Sequence, residues 1–521
     1  MLIKSITIKN FRGYYGETKI DFEDLTTFVG RNDVGKSTIL EALDIFFNDK
    51  PASPMDKSDL NKQALANDDT DIVIGVEFKN PPSDVVVDTT NSTTLQDEHL
   101  LNENGCLEII KHYSNGSSSA KIYVKAFHPT NEECRDLLSR KLNDLKKVVE
   151  EKQLECADKT KKAELRKAIW QHYQDELALS LHEVDMSKED AKGIIDNLKA
   201  IMPAYSLFQS DRSNSDTDKE VQDPLKAAVK AIMQDPEIVT LCTQIAGRVT
   251  TQLQTVANST LQKLQAMNNG VAATLNPKIP GVAELKWQDV FKSVSITGDN
   301  DIAINKRGSG VRRLVLLNFF RAQAEANIGI HSGIIYAIEE PETSQHIEHQ
   351  KLLIDALKSM ADQNNIQVIL TTHSSQIVKM LDYSNLRLVK DNAGVKTVER
   401  VATSILPYTS LNDVNYVAFG DASIEYFNEL YGYLEETHQL QNFFNRKPQI
   451  PYVKQLDNGT TKQENRTIEY IIRNVIHHPE NTHNTYTEEQ FHQAIVDMRA
   501  YISTLSRQVG RNDATGPDGG Q

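Results

Sequence analysis

A glycine-rich segment near the N-terminus has the composition and spacing of a phosphate-binding loop. Residues 30–38 read Gly-Arg-Asn-Asp-Val-Gly-Lys-Ser-Thr. In the pattern G-x-x-x-x-G-K-S the glycines allow a tight turn and successive backbone N–H groups face phosphate oxygens, while the lysine reaches the β- and γ-phosphates and the hydroxyl ligates Mg²⁺. The segment therefore predicts a nucleotide site built from Gly30, Asn32, Gly35, Lys36, Ser37 and Thr38, with Ser37 on the metal.

Two later segments place chemically active side chains at the end of an apolar strand. Residues 333–338 are mostly apolar and lead into Glu339-Glu340-Pro341-Glu342, and residues 366–372 lead into His373. In a doubly wound sheet, ligands bind at the carboxyl ends of the strands. We therefore expect these acids and the histidine to face the phosphate loop, where a carboxylate can orient an attacking water.

The elements around the loop indicate an α/β fold. An apolar strand, 25–29, precedes the loop, and a helix, 38–47, follows it. Residues 2–9 and 17–22 alternate between apolar and polar side chains, which predicts a hairpin that turns at Asn10-Phe11-Arg12-Gly13. Further strands are expected in an antiparallel layer at 71–78, 107–111 and 121–125.

Composition excludes several classes of protein. The 521 residues contain 39% apolar and 25% charged residues, as in globular proteins, and no window approaches the roughly 18 consecutive apolar residues of a membrane span. The N-terminus lacks the features of a signal peptide, and the four cysteines have no metal-ligand spacing. We therefore expect a cytoplasmic protein. A net charge of −15 argues against non-specific nucleic-acid binding, although a local basic stripe stays possible.

The N-terminal I-x-I-x-N-F-R-G hairpin followed by G-x-x-x-x-G-K-S-T resembles the head domains of ABC-class ATPases, namely RecF, the SMC proteins and the OLD family. The resemblance covers residues 1 to about 400 and implies a P-loop ATPase head that uses ATP and Mg²⁺. It implies that Arg12 lies near the nucleotide, and the alternative is a solvated turn arginine. Gly308, Ser309 and Gly310 resemble the signature turn, which contacts the nucleotide held by a second protomer.

The resemblance also assigns roles to the later motifs. It implies that Glu339 assists Mg²⁺ through water, that Glu340 is the general base and that His373 is the switch histidine at the γ-phosphate. Glu342 and His346 lie either at the dimer interface or at the start of the following helix, 346–361. Because the signature turn serves a partner's loop, the implied active unit is a head-to-tail dimer that encloses two ATP molecules.

Composition changes divide the chain into five regions. Residues 131–198 are rich in Lys, Glu, Leu and Ala, and their apolar spacing fits either a helical hairpin seam or an ordinary amphipathic helix. Helices are expected at 224–233 and 238–264, and strands at 281–304. The predicted regions are the N-terminal half of the head, 1–130; a helical or coiled-coil insertion with its return segment, 131–280; the C-terminal half of the head, 281–405; a helical C-terminal domain, 406–510; and a disordered tail, 511–521.

A short strand, 205–209, returns from the insertion towards the head. It brings Gln209, Asp211 and Arg212 either close to the nucleotide site or into a solvated polar loop, and the sequence leaves both open.

The C-terminal region lacks the pattern of a Toprim nuclease, the domain that follows the head in OLD-type nucleases. Toprim chemistry needs an Asp-x-Asp after a strand, and this sequence has none downstream of residue 425. Helices are expected instead at 424–436, 465–476 and 488–505. Arg473 and His478 resemble the R-x4-H motif of HEPN ribonucleases, and the alternative is a His-Pro-Glu-Asn helix exit that packs the tail.

Three functional hypotheses follow from the resemblance. The first is a regulatory ATPase and scaffold, similar to PtuA of Septu and AriA of PARIS in bacterial anti-phage defence, which forms a homo-oligomer and controls a separate effector nuclease. The second is an ATP-gated ribonuclease that uses Arg473 and His478. The third is a DNA-repair ATPase like RecF, which the acidic net charge disfavours.

Overall fold

The computed structural model describes residues 1–88, 91–187, 191–209, 236–267, 333–343, 347–401, 405–456 and 460–513. The chain divides into two units. The first comprises Met1–Ser210, Ile328–Thr343 and Ile347–Gln521, and the second comprises Asp211–Asn327 with Ser344–His346. Among the described residues, the second unit contributes one long helix, and all other elements belong to the first.

The strands, numbered along the chain, are β1 Leu2–Phe11, β2 Tyr14–Asp21, β3 Leu25–Val29, β4 Asp71–Lys79, β5 Asp84–Asp88, β6 Asn91–Thr94, β7 Leu107–Ser114, β8 Lys121–Pro129, β9 Leu179–Asp185, β10 Ala204–Phe208, β11 Ile334–Glu339, β12 Ile366–Thr372, β13 Leu386–Asn392, β14 Val395–Arg400, β15 Ile450–Gln455 and β16 Thr461–Arg466. The helices are α1 Lys36–Phe47, α2 Lys62–Ala66, α3 Leu142–Glu151, α4 Lys162–His172, α5 Ala191–Ile201, α6 Pro236–Met267, α7 Ile347–Ala361, α8 Ser375–Val378, α9 Leu411–Phe419, α10 Ile424–Glu436, α11 Leu440–Phe444, α12 Ile468–His477 and α13 Glu488–Asp513.

Two sheets of six described strands form the head. The first has the order β2-β1-β4-β7-β8-β9 and is antiparallel. The second has the order β10-β11-β12-β3-β13-β14, in which the first five strands are parallel and β14 is an antiparallel edge. Every residue of β3 and β12 is buried, as expected for central parallel strands covered on both faces. The parallel sheet carries the motif strands, so the predicted α/β fold is confirmed.

The phosphate-loop helix α1 joins the two sheets through one apolar core. Ile39, Leu40 and Leu43 of α1 are fully buried, and the same core includes side chains from both sheets. The Tyr205 hydroxyl of β10 donates to the Leu40 carbonyl over 2.7 Å, and its ring stacks on Phe47 at 5.4 Å. These contacts tie α1 to the strand that leads out to Gln209.

The region expected to be a helical arm is compact within the first unit. Leu145 and Val149 of α3 are fully buried in the head core, which matches the amphipathic-helix alternative for this stretch. Strand β9 was not predicted; it pairs antiparallel with β8 at the edge of the first sheet. Its apolar-polar alternation is a short signal within helix-rich composition, which explains the omission. Helix α6 covers the predicted helix 238–264, whereas the helix at 224–233 and the strands at 281–304 lie outside the described residues.

The C-terminal region has its own apolar core. Helices α10 to α13 enclose aromatic and aliphatic side chains, among them Phe427, Phe491, Ile495, Met498 and Ile502. The last four form the stripe visible in the sequence, and their burial confirms its assignment to a core face. The hairpin β15–β16 was not predicted, since most of its outward side chains are polar or charged. Helix α13 continues to Asp513, into the first residues of the predicted tail, and 514–521 lie outside the described residues.

Within the described ranges, none of the helices combines the length and the apolar character that a membrane crossing requires.

Buried His128 on β8 predicts a pH-dependent stability. Its Nδ1 atom lies 2.9 Å from the His99 carbonyl oxygen, the side chain is fully buried, and burial lowers the pKa of His128 to about 4. This folded-state pKa lies below the unfolded value near 6.5, so the stabilisation from neutral His128 is complete above pH 6.5 and is lost as the pH falls towards 4. At about 1.4 kcal/mol per pH unit, the loss between pH 6.5 and 5 is about 2 kcal/mol.

Urea unfolding at pH 7 and pH 5 tests this expectation. Between pH 7 and pH 5 the free energy of unfolding of His128→Gln should fall by about 2 kcal/mol less than that of the parent, because glutamine does not titrate. The exposed His172→Gln is the matched control and should behave like the parent. Equal pH dependence in the parent and His128→Gln would contradict the assignment.

Candidate functional site

The predicted phosphate loop connects β3 to α1 and has the expected strained backbone. Gly30 has φ 154° and Gly35 has φ 102°, and a Cβ atom on Gly30 would lie 2.7 Å from the Val389 carbonyl oxygen. Asp33 adopts φ 63° although it is not a glycine. The loop thus needs glycine where the sequence has it, and its remaining strain is held by the surrounding structure.

Lys36 is buried inside the loop. Its ammonium donates to the Gly30 carbonyl over 2.8 Å and to the Arg31 carbonyl over 2.7 Å. Burial lowers the pKa of Lys36, and the nearby carboxylates of Glu340 and Glu342 act in the opposite direction. The loop and the acidic motif, some 300 residues apart in the sequence, are therefore close enough in space to interact electrostatically.

The strand register brings the three predicted motifs to one edge of the parallel sheet. Val29, the last residue of β3, pairs with Thr372 of β12, and Thr371 pairs with Glu339 of β11. The strands therefore end at the same level. The phosphate loop, the acids and His373 all leave the sheet within one or two residues of this line, as the doubly wound topology requires.

Glu340 and His373 contact each other directly. The His373 Nδ1 atom lies 3.1 Å from Glu340 Oε1. The Glu340 amide donates to the Thr371 carbonyl over 3.0 Å, and φ at Glu340 is 42°, a strained value for a residue with a side chain. The Thr343 hydroxyl lies 3.4 Å from Glu340 Oε2. The acid is thus held in an uncommon backbone conformation beside the histidine, which is typical of functional sites.

Glu342 holds the segment around His373 through hydrogen bonds. Its Oε1 atom accepts hydrogen bonds from the Thr372 hydroxyl over 2.6 Å and from the His373 amide over 3.1 Å. The side chain is buried, and its Oε1 atom lies 3.6 Å from His373 Nδ1. Neither alternative predicted for Glu342, an interface or a helix cap, included this role. Sequence spacing gave no signal for it, because its partners lie on another strand.

The chemistry of the donor set fits a magnesium nucleotide. Ser37 is exposed at the N-terminus of α1, and Glu339 ends β11 at the aligned sheet edge. A hydroxyl and a carboxylate are oxygen ligands that Mg²⁺ accepts alongside phosphate oxygens and waters. Asn32 is also exposed on the loop, and Thr38 is partly exposed in the first turn of α1.

Arg12 forms ion pairs beside the loop. Its guanidinium donates to Asp59 Oδ1 over 2.7 Å and also contacts Glu41 of α1. These carboxylates outweigh the effect of burial and raise the pKa of Arg12. The solvated-turn alternative does not describe this arrangement, and contact with a nucleotide stays a prediction.

Several predicted site residues lie outside the described residues: Asp211, Arg212, Gly308, Ser309, Gly310 and His346. Gln209 is described and directly follows β10, whose last residue, Phe208, pairs with Ile338 of β11. It therefore leaves the sheet at the same edge as Glu339. The roles assigned to all these residues stay predictions.

The two candidate ribonuclease residues have different partners in the C-terminal region. The Arg473 guanidinium lies over the Tyr431 ring at 5.1 Å and 3.9 Å from Glu435 Oε2. His478 follows α12 and lies 3.1 Å from Glu480. These contacts are typical of a helix exit packed on α10, the alternative to a ribonuclease motif.

Comparison with known proteins gives a family match and several similar solved structures. Residues 1–378 match the family described as AAA ATPase domain. Similar solved structures include an SMC head bound to the C-terminal winged-helix domain of ScpA, with 12% identity, a TM-score of 0.39, and coverage of 77% of this chain and 97% of the other. The SMC head domain from Thermotoga maritima has 12% identity and a TM-score of 0.33, and the match covers 77% of this chain and 100% of the other. A Pyrococcus furiosus Smc head domain with an extended coiled coil has 13% identity and a TM-score of 0.34, and the match covers 76% of this chain and 96% of the other.

No curated protein matches the sequence. The family match spans the hairpin, the phosphate loop, the acidic strand and the histidine strand, and it covers more than half of the chain. The chain belongs to the AAA ATPase domain family.

Proposed function

We propose that this chain hydrolyses ATP at the phosphate loop with Mg²⁺ and uses hydrolysis to regulate an assembly of which it is the scaffold. The observation that carries the hydrolytic part is the 3.1 Å contact between Glu340 and His373 at the sheet edge that also bears the loop. A carboxylate, a histidine and a buried lysine at one edge provide the groups that phosphoryl transfer requires.

In this proposal the reaction is an in-line displacement by water. Glu340 orients a water and accepts its proton as the oxygen attacks the γ-phosphorus; the bond from γ-phosphorus to the bridging oxygen breaks, and ADP and phosphate are released. Lys36 exchanges its two carbonyl partners for phosphate oxygens. Ser37 would ligate Mg²⁺ and Glu339 would assist it through water; the ion would neutralise charge on the phosphates, and His373 would contact the γ-phosphate.

The proposed active unit is a head-to-tail dimer. The signature-like turn, Gly308 to Gly310, would supply N–H groups and a helix N-terminus to the γ-phosphate on the partner. Each chain then contributes half of two nucleotide sites. ATP would hold the two heads together, and hydrolysis would release them.

The regulatory role is supported by the C-terminal region. It has an apolar core of its own, and it contacts the ATPase head next to the switch histidine, where Asn415 Nδ2 donates to the Ser375 carbonyl over 3.1 Å. A domain so attached can respond to the nucleotide state and can hold a partner. We propose a separate effector nuclease as that partner, in a bacterial anti-phage defence complex.

Removal of the loop lysine should abolish nucleotide binding. Lys36→Ala deletes the cation that would pair with the phosphates of bound ATP. Truncating one partner of a buried charge pair costs about 2–5 kcal/mol, so the affinity for ATP should fall at least about thirtyfold. Isothermal titration with ATP and Mg²⁺ measures the effect. Lys50→Ala, which removes an exposed lysine beyond the same helix, is the matched control and should bind like the parent. Parent-like affinity in Lys36→Ala would refute the site.

Replacement of the proposed base should separate binding from turnover. Glu340→Gln keeps the shape of the side chain but cannot accept the proton, so kcat should fall about 100-fold or more while ATP still binds. Phosphate release and ATP titration measure the two effects. The exposed Glu348→Gln on α7 should retain parent kcat. Normal turnover in Glu340→Gln would exclude Glu340 as the base.

The dimer proposal predicts an ATP-dependent change of mass. Glu340→Gln should shift from its nucleotide-free state to a dimer or a multiple of it when ATP is added, because the trapped nucleotide holds the heads together. Adding Ser309→Arg should block the shift, since the larger side chain would occupy the place of the partner's phosphate. Light scattering after gel filtration measures the mass. An unchanged mass of Glu340→Gln with ATP would contradict the proposal.

A further inference from the structure

The β13–β14 hairpin supports the phosphate loop from outside, although its residues carry no known motif. The Val389 carbonyl of β13 lies against Gly30, as described above. Lys396 of β14 crosses the loop, and its ammonium donates to the Asp33 carbonyl over 3.2 Å and contacts the Asp391 carboxylate. Its side chain is 14% exposed, so this lysine is largely enclosed between the hairpin and the loop.

The aliphatic stem of Lys396 packs against Gly13 and Gly35. A Cβ atom on Gly13 would lie 2.8 Å from Lys396 Cγ, and one on Gly35 would lie 3.5 Å from the same atom. The Lys396 amide donates to the Gly13 carbonyl over 3.2 Å. Cγ could move only by a change of the χ1 rotamer, which would also move the ammonium, so a side chain on Gly13 would disturb the reach of Lys396 to the loop.

Two carbonyls of the loop accept hydrogen bonds from side chains outside it. Lys396 holds the Asp33 carbonyl, and the Tyr14 hydroxyl donates to the Gly35 carbonyl over 3.0 Å. In a planar trans peptide the N–H of the next residue points away from the held carbonyl. Lys396 therefore turns the Val34 N–H to the opposite side, and Tyr14 does the same for the Lys36 N–H. N–H groups that face away from such held carbonyls are placed to contribute to an anion-binding nest.

We propose that Lys396 is a positioning residue for ATP binding, which holds the phosphate loop in its binding conformation through the Asp33 carbonyl. The inference rests on the proposed function of the loop. Asp33 has a positive φ, which is costly for a residue with a side chain. The hydrogen bond from Lys396 offsets this cost before the nucleotide arrives. The affinity for ATP then depends on a lysine about 360 positions away from the loop in the sequence, which follows His373 along the chain.

Lys396→Met tests the proposal, because methionine keeps most of the stem on Gly13 and removes only the ammonium. We expect the Kd and the KM for ATP to rise about fivefold, as for loss of one partly exposed charge-assisted hydrogen bond, with kcat changed less than about twofold. Lys396→Arg should restore most of the affinity. Lys390→Met is the matched control, because Lys390 lies on the same hairpin and pairs with Glu399 over 2.7 Å.

Gly13→Ala provides a second test that does not depend on how Lys396→Met folds. The added methyl group should weaken ATP binding when Lys396 is present and should have less effect in a Lys396→Ala background, where the space is free. Cooperative thermal unfolding of Lys396→Met without nucleotide, as for Lys390→Met, would show that a loss of ATP binding is not a loss of folding.

The outcomes separate this proposal from the function of the loop. If Lys36→Ala abolishes ATP binding while Lys396→Met binds like Lys390→Met, the loop is the site and Lys396 has no positioning role. Equal effects of Gly13→Ala in both backgrounds would overturn the steric argument in the same way. If Lys36→Ala itself retains ATP binding, the proposed function fails, and the role of Lys396 fails with it.

Discussion

The parallel pairing of β3 with β12, and of β12 with β11, is the constraint on which the candidate site depends. It places Val29 level with Thr372, and Thr371 level with Glu339. Because side chains alternate along a strand, a slip of one residue in β11 would exchange the faces of its side chains and move Glu340 away from His373. The buried apolar residues of these strands fix the register, so the hydrophobic core sets the geometry of a polar site.

Two charged side chains of the site, Lys36 and Glu342, are buried, and the surrounding hydrogen bonds make this tolerable. Lys36 has two carbonyl partners, and Glu342 accepts from Thr372 and from the His373 amide. Interactions between charges are stronger where water is excluded, and an unpaired buried charge is costly. In the proposed function an arriving triphosphate replaces the carbonyl partners of Lys36, whereas the partners of Glu342 belong to the fold. The arrangement thus distinguishes a charge that is exchanged on binding from one that stays in place.

Sequence predicted the parts of this site that have strong local signals. The loop, its flanking strand and helix, the acidic strand and the histidine strand were recognisable from glycine spacing and apolar runs. The contacts of Glu342 and Lys396 were not recognisable, because their partners are distant in the sequence and local sequence patterns do not indicate such pairs. The mostly polar hairpin β15–β16 and the edge strand β9 were missed because neither has the apolar run of a buried strand. The signature-like turn lies outside the described residues and stays a prediction, as do the domain boundaries.

His373 is connected to the C-terminal core through a short chain of contacts. Ser374, next to His373, caps α8 by accepting from the Ile377 amide, and the Ser375 carbonyl accepts from Asn415 of α9. Asp413, on the same helix, contacts Arg499 of α13 and the buried Tyr426 of α10. A movement of the Ser375 carbonyl therefore acts on α9 through Asn415, and α9 is in turn held to α10 and α13 through Asp413. Since close-packed interfaces switch between discrete arrangements and deform little, this connection would transmit the nucleotide state to the C-terminal region under the proposed function.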